Sequence, residues 1–310
     1  MRNRMIIMVI VGIVLLVVGC STQRYDSEYV RDANWTSDGK IVYLVEKKST
    51  WIQRNPIYEQ EVRNSTVARL WECDSDGNNK EVIGEIDSCE GGISYYGMSS
   101  VGNKVVMSIS DTVNTTQYTV EIVPALFVMN RNGSGLTKIG TKGFYPSMSP
   151  DGSKVVYKEW GGGIRMMNID GSNDHIFLDD TSLTAPQWSP DGGYIAVNQH
   201  NARTKIYNLN MELKKVIEKS QLDNDSIKYT AVSCWDTEDS NSVYVTSYFV
   251  NEDKSYKAKI KFNFTNDILE ISYYYYPGTS YKENNSKVIA YDGNLLVCDI
   301  DGNNKWYLEP

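Results

Sequence analysis

The chain has 310 residues, with 31 Lys and Arg against 39 Asp and Glu, for a formal net charge of −8. An acidic surface repels phosphate backbones, which argues against nucleic acid as a partner. Proline is scarce at 8 residues, tyrosine is abundant at 22, and β-branched residues are dense throughout, a composition that disfavours a helical bundle and points to an all-β chain.

The first twenty residues set the address. Arg2 and Arg4 precede an uncharged apolar run of 14 residues over 5–18, which ends at Gly19 and Cys20. A positive start, a short apolar stretch and a small residue before a cut are the parts of an export signal. The run falls short of the roughly 20 apolar residues that a spanning helix needs. Residues 16–20, LVVGC, resemble the bacterial lipobox, in which a small residue precedes a cysteine that becomes diacylated and N-terminal. Val18 departs from the Ala or Ser usual there. The resemblance implies a signal peptide over 1–19, lipid on Cys20, and a linker over 20–30. The remainder would then be extracytoplasmic and held to a bacterial membrane, and two or three acyl chains suffice for stable attachment. An uncleaved signal anchor would leave the rest on the same side.

From residue 31 onward the sequence repeats. A turn-centred segment appears as NWTSDGKIVY at 34–43, MSSVGNKVVM at 98–107, PSMSPDGSKVVY at 146–157 and PQWSPDGGYIAV at 186–197, with degenerate copies at 234–245 and 281–291. A second segment follows at 70–82, 126–138, 164–176 and 296–306, each with alternating apolar residues and then Asp-Gly or Asn-Gly. These dipeptides accept the positive φ of tight hairpin turns. One unit is thus four antiparallel strands, with a Ser-Pro-Asp-Gly turn between the first two and an Asp-Gly turn between the last two. Six units of roughly 47 residues match the blade length of a propeller, so a six-bladed β-propeller over 31–310 is expected.

Trp188 to Gly192 reads W-S-P-D-G, Met148 to Gly152 lacks only the Trp, and Trp35 to Gly39 carries Thr and Ser where Ser and Pro are usual. These residues resemble the repeat of the TolB-like six-bladed β-propellers. The additional N-terminal domain of TolB itself has no counterpart, since 29–35 already enters the first unit. The family implies a fold and a habit of binding rather than one chemistry.

Candidate chemistry is sparse. The turns at 74–77, 168–171 and 299–302 alternate carboxylates as calcium loops do, but Gly follows the second acid directly and no bidentate Glu arrives, so they read as turns. His175 and His200 are the two histidines, too few for a lyase metal site, and no G-x-S-x-G elbow occurs. No catalytic residue, metal or cofactor is expected, and the chain reads as a non-enzymatic binding module. The alternative is a polysaccharide lyase or hydrolase that uses acids in the central funnel. Cys73, Cys89, Cys234 and Cys298 permit up to two disulfides, a Cys73–Cys89 bridge among them, or else are buried thiols. Tyr273 to Tyr276 reads as an inner strand of the last unit.

Long connections mark where recognition would reside. Blade 3 turns through Trp160-Gly-Gly-Gly163, whereas blade 1 inserts most of 46–69 and blade 2 much of 111–125. Trp51, Arg54 and Tyr58 on the first insertion and Tyr118 on the second are the candidate contacts for an envelope protein or glycan. The competing reading makes the insertions an extra hairpin whose aromatics cover the blade edge. A monomer is expected.

Overall fold

The structure, a computed structural model, describes residues 21–36, 38–54, 59–86, 95–114, 120–199, 203–218, 227–236, 241–249, 254–262, 268–275, 279–284, 287–291, 295–299 and 304–309. The described residues form strands and turns without helix. Consecutive strands pair antiparallel in four-stranded sheets. The first sheet is β1 (Ser21–Trp35), β2 (Ile41–Arg54), β3 (Glu59–Cys73) and β4 (Glu81–Ile86), and the second is β5 (Tyr95–Val101), β6 (Lys104–Asn114), β7 (Val120–Asn130) and β8 (Thr137–Thr141). β9 (Gly143–Met148), β10 (Lys154–Glu159), β11 (Ile164–Asn168) and β12 (His175–Leu178) form the third. The fourth is β13 (Leu183–Trp188), β14 (Tyr194–Gln199), β15 (Arg203–Asn208) and β16 (Leu213–Glu218). β17 (Ile227–Trp235), β18 (Ser242–Phe249), β19 (Lys254–Phe262) and β20 (Ile268–Tyr275) follow, and then β21 (Thr279–Asn284), β22 (Lys287–Tyr291), β23 (Leu295–Asp299) and β24 (Trp306–Tyr307).

The two repeated segments supply the two turns of each sheet. In the third sheet the Ser149 hydroxyl donates to Asp151 (2.6 Å) and accepts from the Lys154 N–H (2.9 Å), while Asp151 also accepts from the Ser153 N–H (3.0 Å). Ser189, Asp191, Gly193 and Tyr194 repeat these contacts in the fourth sheet. In the first, Thr36 takes the serine's part, accepting from the Lys40 N–H at 3.0 Å. Ser-x-Asp is therefore turn chemistry, a side chain closing its own loop. The Asp-Gly turns behave alike. Asp76 accepts from the Asn78 N–H at 3.1 Å and Asp170 from the Ser172 N–H at 2.9 Å, while Gly77 and Gly171 take φ of 83°. Asp299 is described, but the turn after it lies outside the described residues.

First strands gather side by side: β1 meets β5, β5 meets β9, β9 meets β13, β13 meets β17, β17 meets β21, and β21 returns to β1. Facing strands of neighbouring sheets are not laddered, so side chains and single backbone groups lace them. The Ser99 hydroxyl accepts from the Met148 N–H (3.0 Å), the Ser147 hydroxyl from the Trp188 N–H (3.2 Å), and the Gln187 carbonyl from Trp235 Nε1 (3.1 Å). Between sheets lie apolar clusters. Val42, Leu44 and Leu70 of the first sheet pack with Met98, Val105, Met107 and Met129 of the second. Ile41, Tyr43 and Cys73 pack with Ile289, Val297 and Leu308 of the last.

The glycine turns add a second lock. A Cβ on Gly171 would stand 2.5 Å from the carbonyl oxygen of Ile139, on the outer strand of the preceding sheet, and one on Gly133 would collide with Ile83 of β4. Gly77 repeats the contact across the junction of first and last sheets, where its Cβ would meet the Trp306 ring at 2.9 Å. Glycine is required twice at these sites, for positive φ and for close approach.

Of the alternatives open for the cysteines, Cys73 is a free, buried thiol, and burial pushes it up to about 11. Two expectations change. Tyr273 to Tyr275 lie on β20, the outer strand of the fifth sheet, not on an inner strand of the last, because the last sheet begins only at Thr279. Residues 21–30, read as a linker, belong to β1.

Candidate functional site

The first sheet outruns its neighbours. β4 pairs with β3 only over Ala68 to Glu72, yet β2 and β3 stay paired from Ile41↔Cys73 out to Arg54↔Glu59, with one register slip between Trp51 and Ile52. β1 follows β2 along this extension, from Val30↔Val45 to Ser21↔Arg54 without a slip. The result is a three-stranded arm. At about 3.3 Å per residue it reaches roughly 30 Å past the sheet. The insertion is therefore an extra hairpin, as the competing reading has it, and its third strand comes from the residues expected to be a linker.

Few apolar side chains mark the arm, so cross-strand polar pairs hold it. Arg24 Nη2 reaches across to the Ser49 hydroxyl (3.1 Å), while its Nε donates to Asp26 on the same strand (2.8 Å). Hydrogen bonds from Ser49 and Arg24 hold the Asp26 carboxyl below its usual range. Lys47 pairs with Glu28 across the strands at 3.1 Å. At the base Arg31 bonds Glu46 and lies 5.1 Å over the exposed Tyr29 ring. Nearer the tip the Arg24 guanidinium lies 5.3 Å over Trp51, which is half-buried.

A second hairpin rises beside it. β6 and β7 stay paired to Asn114↔Val120, whereas β5 leaves β6 at Ile109. Both hairpins leave at the end where first strands begin, and there each first strand slips in register. The slips fall at Val30/Asp32, Tyr95/Met98, between Phe144 and Ser147, at Thr184/Gln187, at Val232/Cys234 and at Ser280/Lys282. Tyr145 and Ala185, each before a proline, take φ of 48° and 47° in these bulges. Bulges turn a side chain away from the ladder. Tyr145 is 47 % exposed and Trp160 51 %, with the Phe144 ring between them, 5.3 Å from Trp160 and 6.2 Å from Tyr145. The face thus presents two hairpins and an aromatic cluster.

The expected contacts distribute unevenly. Trp51 lies on the arm, and Arg54 is the last residue of β2, opposite Ser21. Cys20, Tyr58 and Tyr118 lie outside the described residues, as does His200. Arg24, Tyr29, Tyr145 and Trp160 were not expected. The triple glycine after Trp160 signals a tight turn that leaves its neighbour exposed, whereas β1 carries no apolar alternation to mark it as a strand.

A cleft of about 490 Å³ lies between the second and third sheets, lined by Lys138, Lys142, Tyr157, Glu159, Arg165 and Asp174 among others. Asp174 accepts from the Tyr157 hydroxyl (2.9 Å) and from Arg165 Nε (3.0 Å), and Glu159 stands 3.7 Å from Arg165. Burial, with Asp174 adding to it, pushes the Tyr157 phenol well above its usual range. These groups are committed to one another. His175 is exposed, with Nδ1 2.8 Å from the Asn173 carbonyl. Among the described residues no group of three His, Cys, Asp or Glu side chains could hold a metal ion.

No protein-family model matches the sequence, and no curated protein matches it. Solved structures do. The oligogalacturonate lyase of Vibrio parahaemolyticus is similar at 12% identity over 90% of this chain and 96% of its own, with a TM-score of 0.49. The β-propeller domain of the Trilobed protease of Pyrococcus furiosus shares 11% over 70% of this chain and 71% of its own, at 0.44. The acylaminoacyl peptidase of Pyrococcus horikoshii shares 10% over 67% of this chain and 38% of its own, at 0.46. These neighbours are β-propeller proteins, and none of the matches identifies a TolB-like family. They also correct the reading of the chain as a non-enzyme. Propeller proteins similar to it include a lyase and a peptidase.

Proposed function

We propose that the chain is a six-bladed β-propeller lipoprotein of the bacterial cell envelope, anchored by lipid on Cys20, which holds a protein or glycan partner on the face bearing the two hairpins. One observation carries the reading: the hairpins of the first and second sheets both outrun their sheets at the end where the exposed Tyr145 and Trp160 lie. Paired strands present side chains with little conformational entropy left to lose, which favours recognition. The contacts assigned are Trp51, Arg54 and Tyr58 on the first hairpin and Tyr118 on the second. The return of β21 to β1 supports the ring, and the motif before Cys20 supports the address.

A soluble form starting at Ser21 is immobilised and exposed to envelope extract and to purified wall and capsule glycans. A second form carries residues 111–123 replaced by a two-residue Asn-Gly turn. Retention of one ligand by the first and at least tenfold loss with the second is expected. Equal retention by both would remove the second hairpin with Tyr118 from the site and end the two-hairpin reading.

A further inference from the structure

The arm and the anchor meet at one point. Ser21 opens β1 opposite Arg54, at the far end of the arm. Cys20 is bonded to Ser21, so its Cα lies about 3.8 Å away. No slack chain remains between acylated residue and paired strand.

We propose that the three-stranded arm is a rigid stalk whose tip docks on the bilayer surface, so that the propeller stands off the membrane by the arm's length with its hairpin-bearing face turned toward it. The proposal rests on the lipid-anchor reading above and names the partner of the arm's tip as the lipid headgroup layer. The ladder is unbroken from Val30↔Val45 to Ser21↔Arg54, so a pull on Cys20 is carried by paired strands rather than by a tether. The tip chemistry suits a headgroup layer. The Arg24 guanidinium over Trp51 lies four residues from Cys20, about 13 Å along the strand. An aromatic ring with a cation beside it places an apolar body and a charged head at the depth where water gives way to lipid. The polar remainder of the arm belongs in water. A three-stranded sheet without an apolar face is marginal by itself, and fixing one end of its edge strand at a surface limits fraying. The first hairpin's candidate contacts thereby pass from the soluble partner to the headgroup layer, which leaves that partner the second hairpin with Tyr145 and Trp160.

The full lipidated chain is reconstituted in phosphatidylethanolamine and phosphatidylglycerol vesicles that contain a nickel-chelating lipid. Gln53, Lys48 and Asp170 are replaced in turn by p-acetylphenylalanine and spin-labelled at the ketone, which leaves native cysteines untouched. Relaxation enhancement by the nickel headgroups is expected to be several-fold greater at Gln53 than at Lys48 and absent at Asp170 in its turn on the opposite end of the sheet. Equal, weak enhancement at Gln53 and Lys48 in protein that floats with the vesicles overturns the stalk while leaving the anchor intact. Protein that does not float overturns both. Hydrogen exchange on the unlabelled lipidated chain gives a second readout, with slowed exchange of residues 22–30 expected and random-coil exchange there contradicting the stalk.

Discussion

Gly133 and Gly102 show how one residue type does different work. Both take positive φ, 81° and 56°, but a Cβ at 102 meets nothing within 4 Å, whereas one at 133 strikes the Ile83 backbone. Gly102→Ala is expected to cost about 1 kcal/mol, the backbone preference alone. Gly133→Ala is expected to cost at least ~3 kcal/mol, because neighbouring sheets must also part. Urea unfolding of both variants measures the difference, and equal losses would show that the turn does not lock the sheets.

A charged cluster joins the same two sheets. Arg131 bonds Glu72 and pairs with Asp38 at 2.8 Å, while Lys40 reaches Glu72 at 2.7 Å. The Arg131 hydrogen bond lowers Asp38 to about 2. Burial opposes ionisation of Glu72, but the bonds from Arg131 and Lys40 outweigh it and leave the carboxyl below its usual range. Both folded pKa values lie below the unfolded ones. Their contribution is therefore complete only above about pH 5 and is lost as the pH falls toward 2. The melting temperature should drop through that window, and in Arg131→Ala it should start lower and drop less. An equally steep fall in Arg131→Ala would remove the cluster from the acid response.

At the scale of elements, the arm separates what the sequence makes legible from what it does not. Every described turn with Ser-x-Asp or Asp-Gly falls where those residues place it, since turn chemistry is local. β1 is different. Residues 21–30 are polar and alternate nothing, and they become a strand because β2 offers an edge. Tyr273 to Tyr275 fail for a related reason. The fifth and sixth repeats are degenerate, so the border between them is set by pairing with β19 and not by a turn signal. Tyr145 and Trp160 come together through a bulge and a glycine turn that no spacing links. The arm's dependence on cross-strand charge predicts that Glu28→Lys, which sets two lysines opposite each other, accelerates hydrogen exchange across 21–30 about tenfold while changing global stability by less than ~0.5 kcal/mol. Unchanged exchange would show that backbone pairing alone holds the strand.

For the whole molecule, the first sheet carries both the junction with the last sheet and the arm. Ile41, Tyr43 and Cys73 pack against the last sheet at one end, and the strands that bear them run on into the arm at the other. Load applied at Ser21 thus passes down β1 and β2 into the packed core. The lipid proposed on Cys20 would fix orientation as well as location, and would turn the hairpin-bearing face toward the membrane.

The most direct measurement is metabolic labelling with radioactive palmitate of bacteria expressing the full chain or Cys20→Ala, followed by mass determination of the mature N-terminus. Lipidation at Cys20 predicts label in the membrane fraction, a mature chain beginning at an acylated Cys20, and no label in Cys20→Ala. An unlabelled protein of full length, or label that survives Cys20→Ala, would contradict it.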